Sequence, residues 1–218
     1  VILGTDPDAN RVAIAVPEGD GFRKLSGNEL GCLLMDYILK ARTARGDLPK
    51  GAEVIRSIVS SPLADRVAAY YGVEMKAVLT GFKYIGGEIL RLEELGQQDR
   101  FVFGFEESCG YLKGTYARDK DAVVASMLVC EMAQACKRDG LTVWDSLCKL
   151  YETYGYMGTA LLNFDIEGAL PMQEMERVMV QMRQNPPAQL AGKAVAVVKD
   201  YLPGIEGLPA SNVLSYAT

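Results

Sequence analysis

The sequence predicts an α/β fold: a three-layer α/β/α domain with a mostly parallel sheet, plus a partial second α+β domain at the C-terminus. Three observations predict it. Short apolar runs alternate with helical patterns in strand–helix units of about 25–40 residues, as parallel sheets with crossover helices require. Polar loops follow the apolar runs at Leu79 and Gly104, where the carboxyl ends of parallel strands carry working groups. From Tyr156 onward the elements shorten and turn residues multiply, which marks a new domain.

Residues 1–3 form a short apolar run that ends at Gly4-Thr5-Asp6-Pro7-Asp8-Ala9-Asn10, and residues 12–16 resume as an apolar strand before turn chemistry at 17–21. A helical pattern starts at Asn28 and runs through Leu30, Leu33, Leu34, Tyr37, Ile38 and Ala41, with Ser26 and Asn28 both suited to cap it. Residues 54–59 are β-rich. Ser61 and Pro62 then open a helix as N-cap and first helical residue, and Gly72 closes it. Residues 73–79 read as a strand, Thr80-Gly81 leads into a helix ending near Gly96, and residues 101–105 read as a strand. Long helices are expected from about Lys120 to Lys137 and from behind Thr142 to near Gly155. Beyond them, residues 159–164 read as a strand, 172–182 as a helix and 194–198 as a strand. The domain boundaries expected are 1–21, 22–155 and 156–218, the last incomplete.

Composition narrows the function classes. The chain has 218 residues, 49% of them hydrophobic and 23% charged, with a net charge of −5. An acidic chain offers no footprint for nucleic acid, and no run approaches the roughly 18 apolar residues of a membrane span. No basic segment followed by an apolar stretch suggests a signal peptide, and a chain that begins Val1-Ile2-Leu3 reads as a piece of something longer. The five cysteines are odd in number and lack metal or redox spacing; Cys32, Cys130, Cys136 and Cys148 fall in apolar helical patterns, so a reducing cytoplasmic setting is expected. With no histidine, triads, Cys–His dyads and His-ligated zinc are excluded within this chain. Any metal must be held mainly by oxygen.

Four segments carry chemistry. In Asp6-Pro7-Asp8-Ala9-Asn10-Arg11, three oxygen-bearing side chains alternate along a tight turn and can converge, as Mg²⁺ requires; a solvated turn uses the same residues. In Gly104-Phe105-Glu106-Glu107-Ser108-Cys109-Gly110-Tyr111, two carboxylates and a hydroxyl between glycines suit a polyol, or make an ordinary acidic loop. In Thr80-Gly81-Phe82-Lys83-Tyr84, a glycine at a helix start beside a lysine suits an anion. Arg118-Asp119-Lys120-Asp121 reads as a charged helix N-terminus, with its acids favoured by the dipole.

Together, in this order and spacing, the four segments resemble the α-D-phosphohexomutase superfamily of phosphoglucomutases and phosphomannomutases. The family's Asp-x-Asp-x-Asp-Arg metal run is matched by Asp6, Asp8, Asn10 and Arg11, and its Gly-Glu-x-Ser-Gly sugar loop by Glu106, Glu107, Ser108 and Gly110. The stretches GNELGCLLMDYIL and GFKYIGGEI also resemble it. The resemblance implies a four-domain enzyme in which a phosphoserine exchanges a phosphoryl group with a hexose monophosphate. Mg²⁺ is held by three aspartates and that serine, the third domain reads sugar hydroxyls, and the fourth grips the substrate phosphate. Residues 1–21 then correspond to the end of the second domain, 22–155 to the third and 156–218 to the start of the fourth.

The implied site comprises Asp6, Asp8 and Asn10 for the metal, with Arg11, Thr80, Gly81, Lys83, Glu106, Ser108, Arg118 and Lys120 toward a hexose or pentose phosphate. The phosphoserine loop and the phosphate-gripping loop are not found in this sequence, so the chain alone is expected to be inactive and to work with the remaining domains of a parent chain. A non-catalytic phosphosugar-binding module is the alternative. Asn10 stands at the third aspartate and lowers the loop's formal charge by one. Tyr111 stands where many phosphomannomutases have His, which leans toward the phosphoglucomutase-like branch acting on glucose or pentose phosphates.

Overall fold

The computed structural model describes residues 1–166 and 170–218. Residues Val1–Thr159 and Ala160–Thr218 form two compact units, each treated by itself.

The first unit opens with a three-stranded antiparallel sheet of β1 (Ile2–Thr5), β2 (Val12–Glu18) and β3 (Gly21–Lys24). Val12, Ile14 and Val16 of β2 are buried in the same core as the helices that follow. Helix α1 (Gly27–Arg45) begins at Ser26, which forms a reciprocal capping box with Glu29 and ends at Gly46 in the left-handed conformation. Such caps satisfy orphan helix-end donors and contribute about 1 kcal/mol each.

The central sheet has the order β5–β4–β6–β7, with β4 (Glu53–Ser57) parallel to both β5 (Glu74–Val78) and β6 (Phe101–Glu106), and β7 (Gly110–Leu112) antiparallel at one edge. The three expected strands share this sheet. Helices α2 (Leu63–Tyr70) and α3 (Phe82–Glu94) make the crossovers. Helix α3 covers one face through Phe82, Ile85, Ile89 and Leu92 against Ile55, Val78, Phe101 and Leu112. Helices α1 and α2, with α4 (Ala122–Arg138) and α5 (Val143–Tyr154), cover the other, against Val54, Phe103, Phe105 and Tyr111. Phe103 stacks on Phe105 and Tyr111 at centroid distances of 6.0 and 6.5 Å. Each buried side chain of this size contributes about 1.5–3 kcal/mol. The result is the three-layer α/β/α arrangement that the strand–helix alternation predicts.

The amino end of the sheet is sealed by charge. Glu53, 1% exposed, meets Arg91 at 2.9 Å and Arg100 at 2.6 Å. A buried carboxylate is tolerated when guanidinium groups neutralise it.

The second unit holds α6 (Pro171–Gln184), a small hairpin of β8 (Gln189–Leu190) and β9 (Lys193–Ala194), and an antiparallel pair of β10 (Val197–Asp200) and β11 (Leu214–Ala217). The strand expected at 159–164 is absent. Leu161 and Leu162 are 79% and 74% exposed, and among the described residues no segment pairs with this stretch to supply a ladder. The strand expected at 194–198 is divided between β9 and β10. No described helix is long and apolar enough to cross a membrane.

Candidate functional site

The carboxyl end of the sheet is where the four sequence motifs meet. The loop between β1 and β2 is shaped by its own side chains. Asp6 Oδ1 accepts the backbone N–H groups of Asn10 (3.0 Å) and Arg11 (2.9 Å), and Asp6 Oδ2 accepts Arg11 Nε–H at 2.7 Å. The Arg11 backbone N–H, and then its guanidinium, hold the Asp6 carboxyl down to about 2. Asn10 Nδ2 donates to Asp8 Oδ2 at 2.7 Å. Asn10 Oδ1 is cut off from solvent and has no donor, the sole such side-chain atom among the described residues. Ala9, at φ 53, turns the chain so that its carbonyl accepts the N–H of Ala122 at the start of α4.

Backbone contacts then join this loop to the one between β6 and β7. Arg11 bridges Gly110 in antiparallel fashion, and Val12 N–H donates to the Cys109 carbonyl at 3.1 Å. A third segment joins through Glu106, whose Oε1 accepts the Gly81 N–H at 2.6 Å at the threshold of α3. The fourth joins through the stem of Lys120, which lies over Gly110 so closely that a Cβ there would stand 2.4 Å from Lys120 Cδ. Its ammonium sits 5.5 Å above the Phe82 ring and pairs with Asp119 at 2.8 Å. Asp121 caps α4 by accepting from Val123 and Val124.

Glu106 is 4% exposed, yet among the described residues it makes no ion pair, and the Lys120 charge offsets its burial only in part. Burial pushes its carboxyl above the ordinary value, against the Gly81 N–H, and the neighbouring Glu107 charge adds to the rise. A buried carboxylate with one donor and a free oxygen suits a ligand hydroxyl. Ser108 is exposed beside it.

Thr80 and Lys83 are exposed at the same end, with Lys83 Nζ 4.9 Å over the Tyr84 ring. The structure directs Arg118 elsewhere: its guanidinium donates to the carbonyls of Thr115 and Ala117 and pairs with Glu93 in the last turn of α3. Tyr111 is 1% exposed and its hydroxyl donates to the Gly27 carbonyl at 3.3 Å, so it belongs to the core rather than to the loop surface. Sequence reasoning missed Ser57 and Ser60, whose hydroxyls reach Glu107 from 50 and 47 residues away. No local pattern signals a contact over such a separation.

Among the described residues, no three His, Cys, Asp or Glu side chains stand together as a metal set. The loop offers two carboxylates and an amide instead. That donor set is all hard oxygen, and the buried, donor-free Asn10 Oδ1 is the atom a cation would satisfy, so these residues fit a small divalent ion. A groove of about 880 Å³ on the helical face, lined by residues such as Asp36, Tyr71, Met132 and Tyr154, contains none of the four motifs. Volume alone does not supply convergent polar groups.

Comparisons with known proteins bear on the family and the fold. A phosphoglucomutase of Staphylococcus aureus (strain MRSA252) is 37% identical over 203 residues, covering 93% of this chain and 36% of that protein. The chain therefore spans about a third of the length of the curated relatives it matches. Among solved structures, the phosphoglucomutase pp63/parafusin of Paramecium, in its open form, superposes over 98% of this chain and 34% of that one, with a TM-score of 0.59 at 19% identity. A phosphoglucomutase/phosphomannomutase family protein of Burkholderia thailandensis covers 68% of this chain and 28% of that one, with a TM-score of 0.51 at 17% identity. At such identities these two speak for the fold. Residues 26–154, which contain three of the four converging segments, match the phosphoglucomutase/phosphomannomutase α/β/α domain III, and the chain belongs to that family.

Proposed function

We propose that this chain supplies the metal loop and the sugar-reading loop of an enzyme that transfers a phosphoryl group within a hexose phosphate, through a phosphoserine carried elsewhere in a parent protein. The observation that supports this reading most directly is the meeting of four separate motifs at one end of the sheet, around a buried carboxylate that makes no ion pair among the described residues and that the Lys120 charge offsets only in part. In this reading residues 1–21 close a second domain, 22–155 form the third and 156–218 open the fourth. The protein works in the cytoplasm, in keeping with its five free cysteines.

Asp6, Asp8 and Asn10 are the residues that would hold Mg²⁺. Bound there, the ion would supply a positive charge against the transferring phosphoryl group. The chain's own residues do the rest. Arg11 orients the Asp6 carboxylate and keeps it ionised, leaving its terminal guanidinium nitrogens for phosphate oxygens. Glu106 and Ser108 accept and donate hydrogen bonds to adjacent sugar hydroxyls and so fix which oxygen faces the phosphoserine. Thr80, Lys83 and Lys120 line the approach with hydroxyl and ammonium donors suited to an anionic sugar, while the Gly81 N–H holds Glu106 in place beside it. Arg118 joins them if its pairing with Glu93 opens when substrate arrives. Glucose phosphate is the substrate favoured here, with pentose phosphates as a second class.

Kinetics in the full-length parent test the reading. Glu106→Ala and Ser108→Ala are each expected to lower kcat/KM for glucose 1-phosphate by about 10²–10³-fold with the fold intact, because a site built for hydroxyls loses its orientation when a partner is removed. Unchanged kinetics in both variants would mean that this loop does not read the sugar.

A further inference from the structure

We propose that Glu107 is the positioning residue of the sugar loop: its carboxylate, held by the hydroxyls of Ser57 and Ser60, fixes where Glu106 and Ser108 present their oxygens and does not itself bind the sugar. This rests on the reading of that loop given above.

Successive side chains at a strand end point to opposite faces. Glu106 turns toward α3 and Gly81, and Glu107 turns toward the connection between β4 and α2. There, Ser57 Oγ–H donates to Glu107 Oε2 at 2.8 Å, and Ser60 Oγ lies 3.3 Å from the same oxygen. The two serines are 0% and 1% exposed with their Oγ atoms 2.8 Å apart, so the Ser60 hydroxyl proton is shared between Ser57 Oγ and Glu107, and Ser57 Oγ also accepts the Ser60 N–H at 3.1 Å. The cradle is therefore set before Glu107 enters it. It is braced in turn by Arg56, whose Nη1 donates to the Ser57 and Ser60 carbonyls at 2.9 and 3.4 Å while Asp65 grips its other nitrogens at 2.7 and 2.8 Å.

The backbone of Glu107 is confined as well. Helix α1 starts against it so tightly that a Cβ on Gly27 would stand 2.0 Å from the Glu107 carbonyl oxygen. Three residues on, Gly110 is fixed by its bridge to Arg11. Only Ser108 and Cys109, the latter at φ 67, span the gap between these two anchors. The position of the Ser108 hydroxyl is thus set by where Glu107 is held, and misplacing a positioning group by about 1 Å costs on the order of 10²-fold in rate.

The test uses the full-length parent with glucose 1-phosphate as substrate and circular dichroism as the control for folding. Glu107→Ala is expected to lower kcat/KM by roughly 10-fold or more, and the double variant Ser57→Ala/Ser60→Ala by a similar factor. The triple variant should be no worse than either, because all three remove one interaction. Glu107→Gln keeps a carbonyl oxygen for the two hydroxyls and should recover most of the loss. Where Glu107→Ala fails to fold, the serine pair and Glu107→Gln carry the test. A serine double variant with normal kinetics beside a damaged Glu107→Gln would overturn the proposal and make Glu107 a sugar ligand. Normal kcat/KM in every variant with a lowered Tm would also overturn it, leaving a role in stability alone. Loss of activity in Glu106→Ala and Ser108→Ala marks these as failures of the positioning role; no loss in those two either marks a failure of the functional reading beneath it.

Discussion

Two buried glutamates stand at opposite ends of the same sheet and are treated in opposite ways. At the amino end of β4, Glu53 is gripped by Arg91 and Arg100, and its charge is spent on closing the fold. At the carboxyl end of β6, Glu106 is nearly as deeply buried but receives a single backbone N–H from Gly81, and burial lifts its carboxyl above the ordinary range. Desolvating a carboxylate without a cation is costly, and such costs concentrate where a ligand is expected to supply the missing partner. The contrast separates two buried acids within one domain by partner rather than by burial: arginines close off Glu53, and Glu106 is left with a free oxygen.

The largest effect that could break this comparison concerns Glu53. Glu53→Ala removes the buried partner of two guanidinium groups, which keep Glu88 and Glu74, and is expected to destabilise the chain by about 1–3 kcal/mol. Urea denaturation would measure it; a cost within experimental error would show that the two arginines are simply solvated.

The proposed metal loop extends the same contrast, because it adds Asp6 and Asp8 to the end that holds Glu106 and Glu107. Asn10→Asp is expected to tighten Mg²⁺ at least about tenfold in the full-length parent, since a third carboxylate replaces an amide whose nitrogen now donates to Asp8. Asp8→Ala should abolish binding. Titration calorimetry giving equal affinities for wild type and both variants would reduce the loop to a turn.

The smallest effect is in the stability of Glu106→Gln. A carboxyl whose folded value is raised contributes stability that is fully present below its unfolded value and is lost as pH rises through the folded value. Wild type should therefore lose stability as pH rises from the ordinary carboxylate range through the raised value, and Glu106→Gln should not. Denaturation midpoints that fall in parallel for both proteins across that range would show that Glu106 is not the titrating group.

How far the sequence foretells this depends on whether a signal is local. Strands β4 and β6 are buried runs with apolar centres and β5 is a half-buried edge strand, each bounded by turn residues, and the capped starts of α1 and α5 are written in Ser26–Glu29 and Thr142–Asp145. These elements are legible because their determinants lie within a few residues. Strand β7 is three residues long and exists because β6 pairs with it, which no period of three residues can announce. The expected strand at 159–164 shows the converse: apolar content without a pairing segment does not make a strand. In the site, the identities of Glu106 and Ser108 are legible as a motif. That Glu106 and Glu107 face different partners is not, because it depends on Ser57, Ser60 and Gly81, each distant in sequence. Nor does sequence disclose that Arg118 turns to Glu93.

The central claim is that four separate segments build one sugar-phosphate site at the carboxyl end of the sheet. Hydrogen exchange of the full-length parent, measured by mass spectrometry with and without glucose 1-phosphate and Mg²⁺, tests it most directly. Protection is expected together in peptides covering residues 6–12, 80–84, 105–112 and 118–122, with little change at the groove between α1, α4 and α5. Protection confined to that groove, or absent from the sugar loop at saturating ligand, would contradict the account.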